Sequence, residues 1–134
     1  MDPEERNIVQ QNEQQAAVSD EALRDLVLAA LEDSKAEDPA VLDVRGKTGI
    51  TDFMIIVSGT SNRHLRSIAD TVVEQARKQG VRPLGVEGVE SAEWILVDLA
   101  DVVVHIMLPR VRDLYRLERI WGFGEDEAEQ QDGG

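Results

Sequence analysis

Apolar positions recur at helical spacing first in residues 20–34, where Leu23, Leu26, Val27, Ala30 and Leu31 line one side. Ser19 precedes them as an N-cap, and Asp20 and Glu21 place acid in the first turn, where the helix dipole favours it. Pro39 is expected to close the connection that follows. Residues 40–45 then alternate, with Leu42 and Val44 on one face and Val41, Asp43 and Arg45 on the other, which predicts a short strand with one polar face. Residues 53–58 (FMIIVS) are a continuous apolar run of strand length. Gly59-Thr60-Ser61-Asn62 breaks that run, and Ser61 or Asn62 can cap a second helix built on Leu65, Ile68, Ala69, Val72, Val73 and Ala76, with Gly80 as its C′ residue. After a stretch carrying Pro83, Gly85 and Gly88 come two strands, 94–99 and 102–107. A last helix over about 110–121 is expected to turn Val111, Leu114, Leu117, Ile120 and Trp121 inward. The order αββαββα predicts an α/β (α+β) domain in which helices pack on a single mixed β-sheet.

Pairing 94–99 with 102–107 as a tight hairpin around Ala100 and Asp101 sorts the side chains into two sets. Ile95, Val97, Leu99, Val102, Val104 and Ile106 make an all-aliphatic face that belongs to the core. Trp94, Leu96, Asp98, Val103, His105 and Met107 make a mixed face. Two readings of that face stand side by side. In one, a helix covers it and His105 is a buried imidazole with its hydrogen bonds satisfied. In the other it is an open docking surface, since Trp and Met at the centre with charge at the rim is the composition of an interface core.

The 134-residue chain carries 27 acids against 14 bases, a net charge of −13. This excess argues against a protein that grips a nucleic-acid backbone by itself, DNA included, and favours a basic partner. The charge is uneven. Residues 1–18 are acidic and Gln-rich with net −3, residues 122–134 carry net −5, and both read as disordered tails around a folded core at 19–121. Residues 85–101 contain Glu87, Glu90, Glu93, Asp98 and Asp101 and no Lys or Arg, so the mixed face has an acidic border. With no cysteine there is no thiolate nucleophile and no disulfide. No membrane-spanning run or secretory signal is evident, and a cytoplasmic location is the default expectation.

Candidate chemistry is sparse. Ser58, Thr60 and Ser61 lie near His64 in sequence, but His64 reads more simply as a surface residue beside a cap. Gly59-Thr60-Ser61, between a strand and a helix, suits an anion, with Arg63 in support, and a residual nucleotide-binding or nucleotidyltransferase role at 59–63 is the alternative function. Asp98, Asp101 and Asp52 do not form a spacing that holds a metal pair, and no cofactor is expected.

Several segments together resemble the ribosomal silencing factor family, also called iojap-like: VLDVRG (41–46), ITDFMIIVSGTSNRHLRSIAD (50–70), LGVEG (84–88), the strand from Trp94 to Asp98, DVVVHIM (101–107) and LERIW (117–121). They occur in order across about 21–121. The resemblance implies a nucleotidyltransferase-like fold lacking the family's D-x-D metal pair, and therefore not an enzyme. It implies binding to the large ribosomal subunit through large-subunit ribosomal protein fourteen, which blocks joining of the small subunit and lowers translation when nutrients are scarce. On that resemblance Trp94 is the expected anchor, Glu87, Asp98 and Asp101 are expected to meet basic groups, and His105 and Tyr115 match family positions that either contact the partner or pack. Asp52 and Arg63 are alternatively expected to hold the strand-to-helix loop. A homodimer through the 94–107 face is a further reading.

Overall fold

A computed structural model describes residues 18–120. The elements are α1 (Asp20–Asp33), β1 (Glu37–Asp43), β2 (Phe53–Ser58), α2 (Asn62–Lys78), β3 (Gly85–Glu87), β4 (Trp94–Asp98), β5 (Val102–Met107), α3 (Pro109–Tyr115) and α4 (Leu117–Ile120). The strands form one five-stranded sheet in the order β1-β2-β5-β4-β3. Only β2 and β5 run parallel, so the sheet is mixed.

Helices α1 and α2 cover one face. Leu23, Val27, Ala30 and Leu31 from α1 and Leu65, Ile68, Ala69, Val72 and Ala76 from α2 pack on Phe53, Ile55, Val57, Ile95, Val97, Val104 and Ile106. The other face carries a smaller cluster in which Val111 and Leu117 cover Leu42, Val44, Met54, Ile56 and Met107. Strand β2 is thus apolar on both sides, and this is why its sequence shows no alternation.

Helix ends follow their sequence signals. Ser19 Oγ accepts from the Ala22 N–H at 3.0 Å, and Ser61 Oγ accepts from the His64 N–H at 3.1 Å. At the end of α2, Gly80 adopts φ +80°; its N–H reaches the Arg77 carbonyl, and the Val81 N–H reaches the Ala76 carbonyl, which is a complete Schellman closure.

Four expectations need correction. Pro39 does not close a loop: it lies inside β1, which begins at Glu37. The strand tolerates it because β1 is an edge strand with an irregular register between Glu37 and Ala40, where the missing N–H breaks no ladder. A fifth strand, β3, was not expected, and the element order becomes αββαβββαα in place of αββαββα. The last helix is broken at Arg116, which takes the left-handed conformation at φ +48°. Leu114 points outward, 75% exposed, because α3 meets the sheet side through Val111 and stacks Tyr115 on Trp94, leaving Leu114 rotated off that contact line. The tails, the Ile120 side chain and Trp121 fall outside the described residues, apart from Val18 at the inner end of the first tail.

Gly59 is fixed by close approach. A Cβ there would lie 2.6 Å from Leu65 Cδ1 and 3.1 Å from Ile68 Cδ1, and both side chains are fully buried. Gly59→Ala is expected to cost about 1–3 kcal/mol, because a packed core yields little. An unchanged urea midpoint would show that α2 can shift freely at its start.

Candidate functional site

Strand register places three rows of side chains on the mixed face. Met54, Val103 and Asp98 form one row. Ile56, His105, Leu96 and Glu87 form the next, and Ser58, Met107 and Trp94 the third. The hairpin is the tight one that alternation predicts. Leu99 and Val102 close it, the Ala100 N–H donates to Asp98 Oδ1 at 2.9 Å, and Ala100 itself takes φ +71°.

The two readings of this face meet part-way. Met107 is fully covered and His105 is 7% exposed, whereas Trp94, Leu96 and Asp98 remain half-buried. Trp94 Nε1–H donates to His105 Nδ1 at 2.9 Å. That bond puts the proton of the neutral imidazole on Nε2. Burial pushes the His105 pKa down to about 4, because an imidazolium here would lose its hydration. The indole also packs on Tyr115, with ring centroids 4.9 Å apart and planes tilted 50°. Tyr115 is 54% exposed. Helix α3 is held over the strand ends by Arg112, which donates to the Asp38 carbonyl at 2.6 Å and to Ser58 Oγ at 3.1 Å.

Trp94, His105 and Tyr115 therefore form one cluster. Glu87 is exposed one strand away, opposite Leu96. Asp98 lies four residues along β4 from Trp94, roughly 13 Å at strand spacing, and one of its oxygens is committed to the hairpin turn. Asp101 is exposed at the turn itself, at the opposite end of the sheet from Trp94; its backbone carbonyl takes the N–H groups of Asp52 and Phe53, each at 3.0 Å. The acidic border thus surrounds the aromatic cluster on one flank and reaches the far end of the hairpin.

Sequence reading missed how the 88–93 loop is held beside Trp94. Asn62 Nδ2 donates to the carbonyls of Ser91 and Ala92 at 3.1 and 3.0 Å, and Arg66 donates to those of Val89 and Glu90 at 3.0 and 2.8 Å. The available signal was two polar side chains four apart at the start of α2, on the side that faces the loop. Gly88, at φ +88°, completes the arrangement, since a methyl there would overlap the backbone carbonyl of Trp94. The loop carries Glu93, whose Oε1 pairs with Arg110 at 2.7 Å.

The 59–63 turn is already occupied from within. The Thr60 N–H donates to His64 Nδ1 at 2.9 Å, the His64 N–H is taken by Ser61, and His64 Nε2 meets the Ser34 carbonyl at 2.8 Å. His64 ties the turn to the end of α1, and the N–H groups an anion would need are partly spent. Asp52 does not hold this turn, contrary to the alternative expectation. It precedes β2 at the other end of that strand, and its pKa is raised by burial and by the neighbouring Asp20. Arg63 is exposed, with no partner among the described residues. No group of three or more His, Asp or Glu among the described residues is arranged to hold a metal ion, and none of their helices is long and apolar enough to cross a membrane.

Comparison with known proteins places these features. Residues 16–133 match the family model described as "Ribosomal silencing factor during starvation". A ribosomal silencing factor of Chromobacterium violaceum is 46% identical over 97 residues, covering 72% of this chain and 80% of that protein. One of Haemophilus influenzae is 42% identical over 100 residues, covering 75% of this chain and 98% of that protein. A crystal structure of a Chromobacterium violaceum protein superposes with a TM-score of 0.76 at 43% identity, covering 78% of this chain and 87% of that one. With a family match over nearly its whole length and relatives this similar, the chain belongs to the ribosomal silencing factor family.

Proposed function

We propose that this protein represses translation by occupying the face of the large ribosomal subunit that meets the small subunit, docking on large-subunit ribosomal protein fourteen. The observation that carries the reading is the half-buried Trp94 stacked on an exposed Tyr115, with Leu114 75% exposed on the same short helix. Aromatic anchors of this kind, held in place before binding, lose little conformational freedom on docking and dominate interface energies. Glu87 and Glu90, both exposed, border the cluster on the strand side and favour a basic partner surface, whereas Glu93 is paired with Arg110. No chemistry is required. An interface of roughly 1,200–2,000 Å² is enough to exclude a second body from the same surface.

Co-sedimentation with purified particles tests the reading. The protein is expected to pellet with free large subunits and not with small subunits, and to lower the light-scattering rise when the two are mixed. A folded protein that pellets with neither particle would overturn the proposal. Sedimentation equilibrium of the protein alone addresses the competing occupant of the same face, a second copy of this chain; a dimer abolished by Trp94→Glu would transfer the face to self-association.

A further inference from the structure

Three cations stand together at one end of this acidic chain. From Arg77 to Pro83 the sequence RKQGVRP holds Arg77, Lys78 and Arg82 and no acid, in a protein of net charge −13. In the fold these three line a shallow groove of about 680 Å³ together with Gly80 and Pro83, at the C-terminal end of α2. Arg77 and Arg82 make no ion pair among the described residues, and Lys78 makes a single exposed one with Glu74, at 3.4 Å. Cations in a last helical turn offset the helix dipole, which accounts for Arg77 and Lys78. It does not account for Arg82, which follows the Schellman turn and shares the same groove. The N–H groups of Gly80 and Val81 are spent on that turn, so an anion here would be met by side chains alone.

We propose that this end of the protein is a second contact, for the phosphate backbone of ribosomal RNA, and that it orients the protein on the particle. The proposal rests on the docking function above. Three side-chain cations without ordered backbone donors suit phosphates spaced along a strand, whatever the base sequence. Helix α2 has 17 residues, so the groove lies roughly 25 Å from the helix start that buttresses the Trp94 loop. A body anchored at Trp94 on a ribosomal protein brings its other end over the surrounding RNA. Arg110, Arg112 and Arg116 are engaged with Glu93, with Asp38 and Ser58, and with Asp113 respectively, whereas the three groove cations share one exposed ion pair and stay available to a phosphate. Anchoring at Trp94 makes the second contact intramolecular, and a weak phosphate contact then adds affinity that it lacks alone.

The test measures affinity for free large subunits against potassium chloride concentration at fixed magnesium. For Arg77→Glu/Arg82→Glu, the slope of log affinity against log salt is expected to flatten by about two, with affinity about tenfold or more lower at 0.1 M salt. Arg77→Lys/Arg82→Lys is expected to keep both slope and affinity. Arg77→Gln/Arg82→Gln, milder at a helix end, is expected to fall between. A photo-crosslinking residue at position 82 is expected to give a nuclease-sensitive adduct. Wild-type slope and affinity in both the Glu and Gln variants, with unchanged melting, would overturn the proposal, as would adducts to ribosomal protein only. Failure of the wild type to bind large subunits at all would instead overturn the docking function and this contact with it.

Discussion

Trp94→Ala is expected to weaken binding to large subunits by about 2 kcal/mol or more, roughly thirtyfold, the range of an interface hot spot. The indole N–H is bound by His105 and its ring packs against Tyr115, so it is held in a single orientation while part of it faces outward. Truncation removes the exposed aromatic surface, leaves Tyr115 without its stacking partner and leaves His105 Nδ1 without its donor. The fold is also expected to lose about 2 kcal/mol, less than the ~3–5 kcal/mol typical of a fully buried tryptophan. Trp94→Phe separates the two effects. It keeps a ring against Tyr115 and removes the N–H, so stability is expected to fall by about 1 kcal/mol while most of the affinity survives. Binding by titration and unfolding by urea, measured on both variants, check this. Wild-type affinity in Trp94→Ala would remove the residue as anchor, and equal loss in both variants would mean that the hydrogen bond, through His105, matters more than the exposed ring.

The aromatic cluster was legible because β-structure has a period of two. Alternation along 94–98 and 102–107 put Trp94 and His105 on one face, and a tight hairpin made them diagonal neighbours, two residues out of register across the strands. The hydrogen bond between them could not be read, since it depends on two side-chain rotamers. The aliphatic face was legible for the same reason, and every residue assigned to it is buried in the main core. Strand β3 escaped because Gly-Val-Glu is too short to display a period and follows Pro83. Its edge position is set by hydrogen bonds to β4, a tertiary effect. The break at Arg116 escaped for a different reason: no Gly or Pro marks it, and the arginine in the left-handed region is tied locally, its guanidinium to Asp113 and its N–H to the Arg112 carbonyl. Asp98 illustrates how one residue type serves two roles. Its place in the acidic run suggested a partner contact, yet one oxygen caps its own hairpin turn. Sequence sees the carboxylate and not what it already touches.

Acid is expected to weaken the fold through His105. The imidazole titrates at about 4 in the folded chain against about 6.5 when unfolded. Because the folded value is the lower one, the unfolded chain binds the extra proton first. The contribution is fully present above pH 6.5 and is lost as pH falls toward 4, by about 3 kcal/mol across the window. The physical cause is the site itself: protonating Nδ1 would set its N–H against the indole N–H that now donates to it, in a position hidden from water. Asp20 and Asp43, both lowered chiefly by side-chain hydrogen bonds to Glu21 and Arg45 respectively, act in the same direction below pH 4, whereas Asp52, raised chiefly by burial, takes up its proton above the ordinary carboxylate value and so opposes His105 as pH falls toward 4. Urea unfolding from pH 7.5 to 4.5 should therefore show a falling limb in the wild type that is absent in His105→Gln, whose amide oxygen can accept the same indole proton without titrating. A limb of equal depth in both proteins would mean that His105 does not carry it. Parallel binding titrations are informative too. If Trp94 is the anchor and His105 orients it, affinity for large subunits should fall across the same window in the wild type and stay level in His105→Gln.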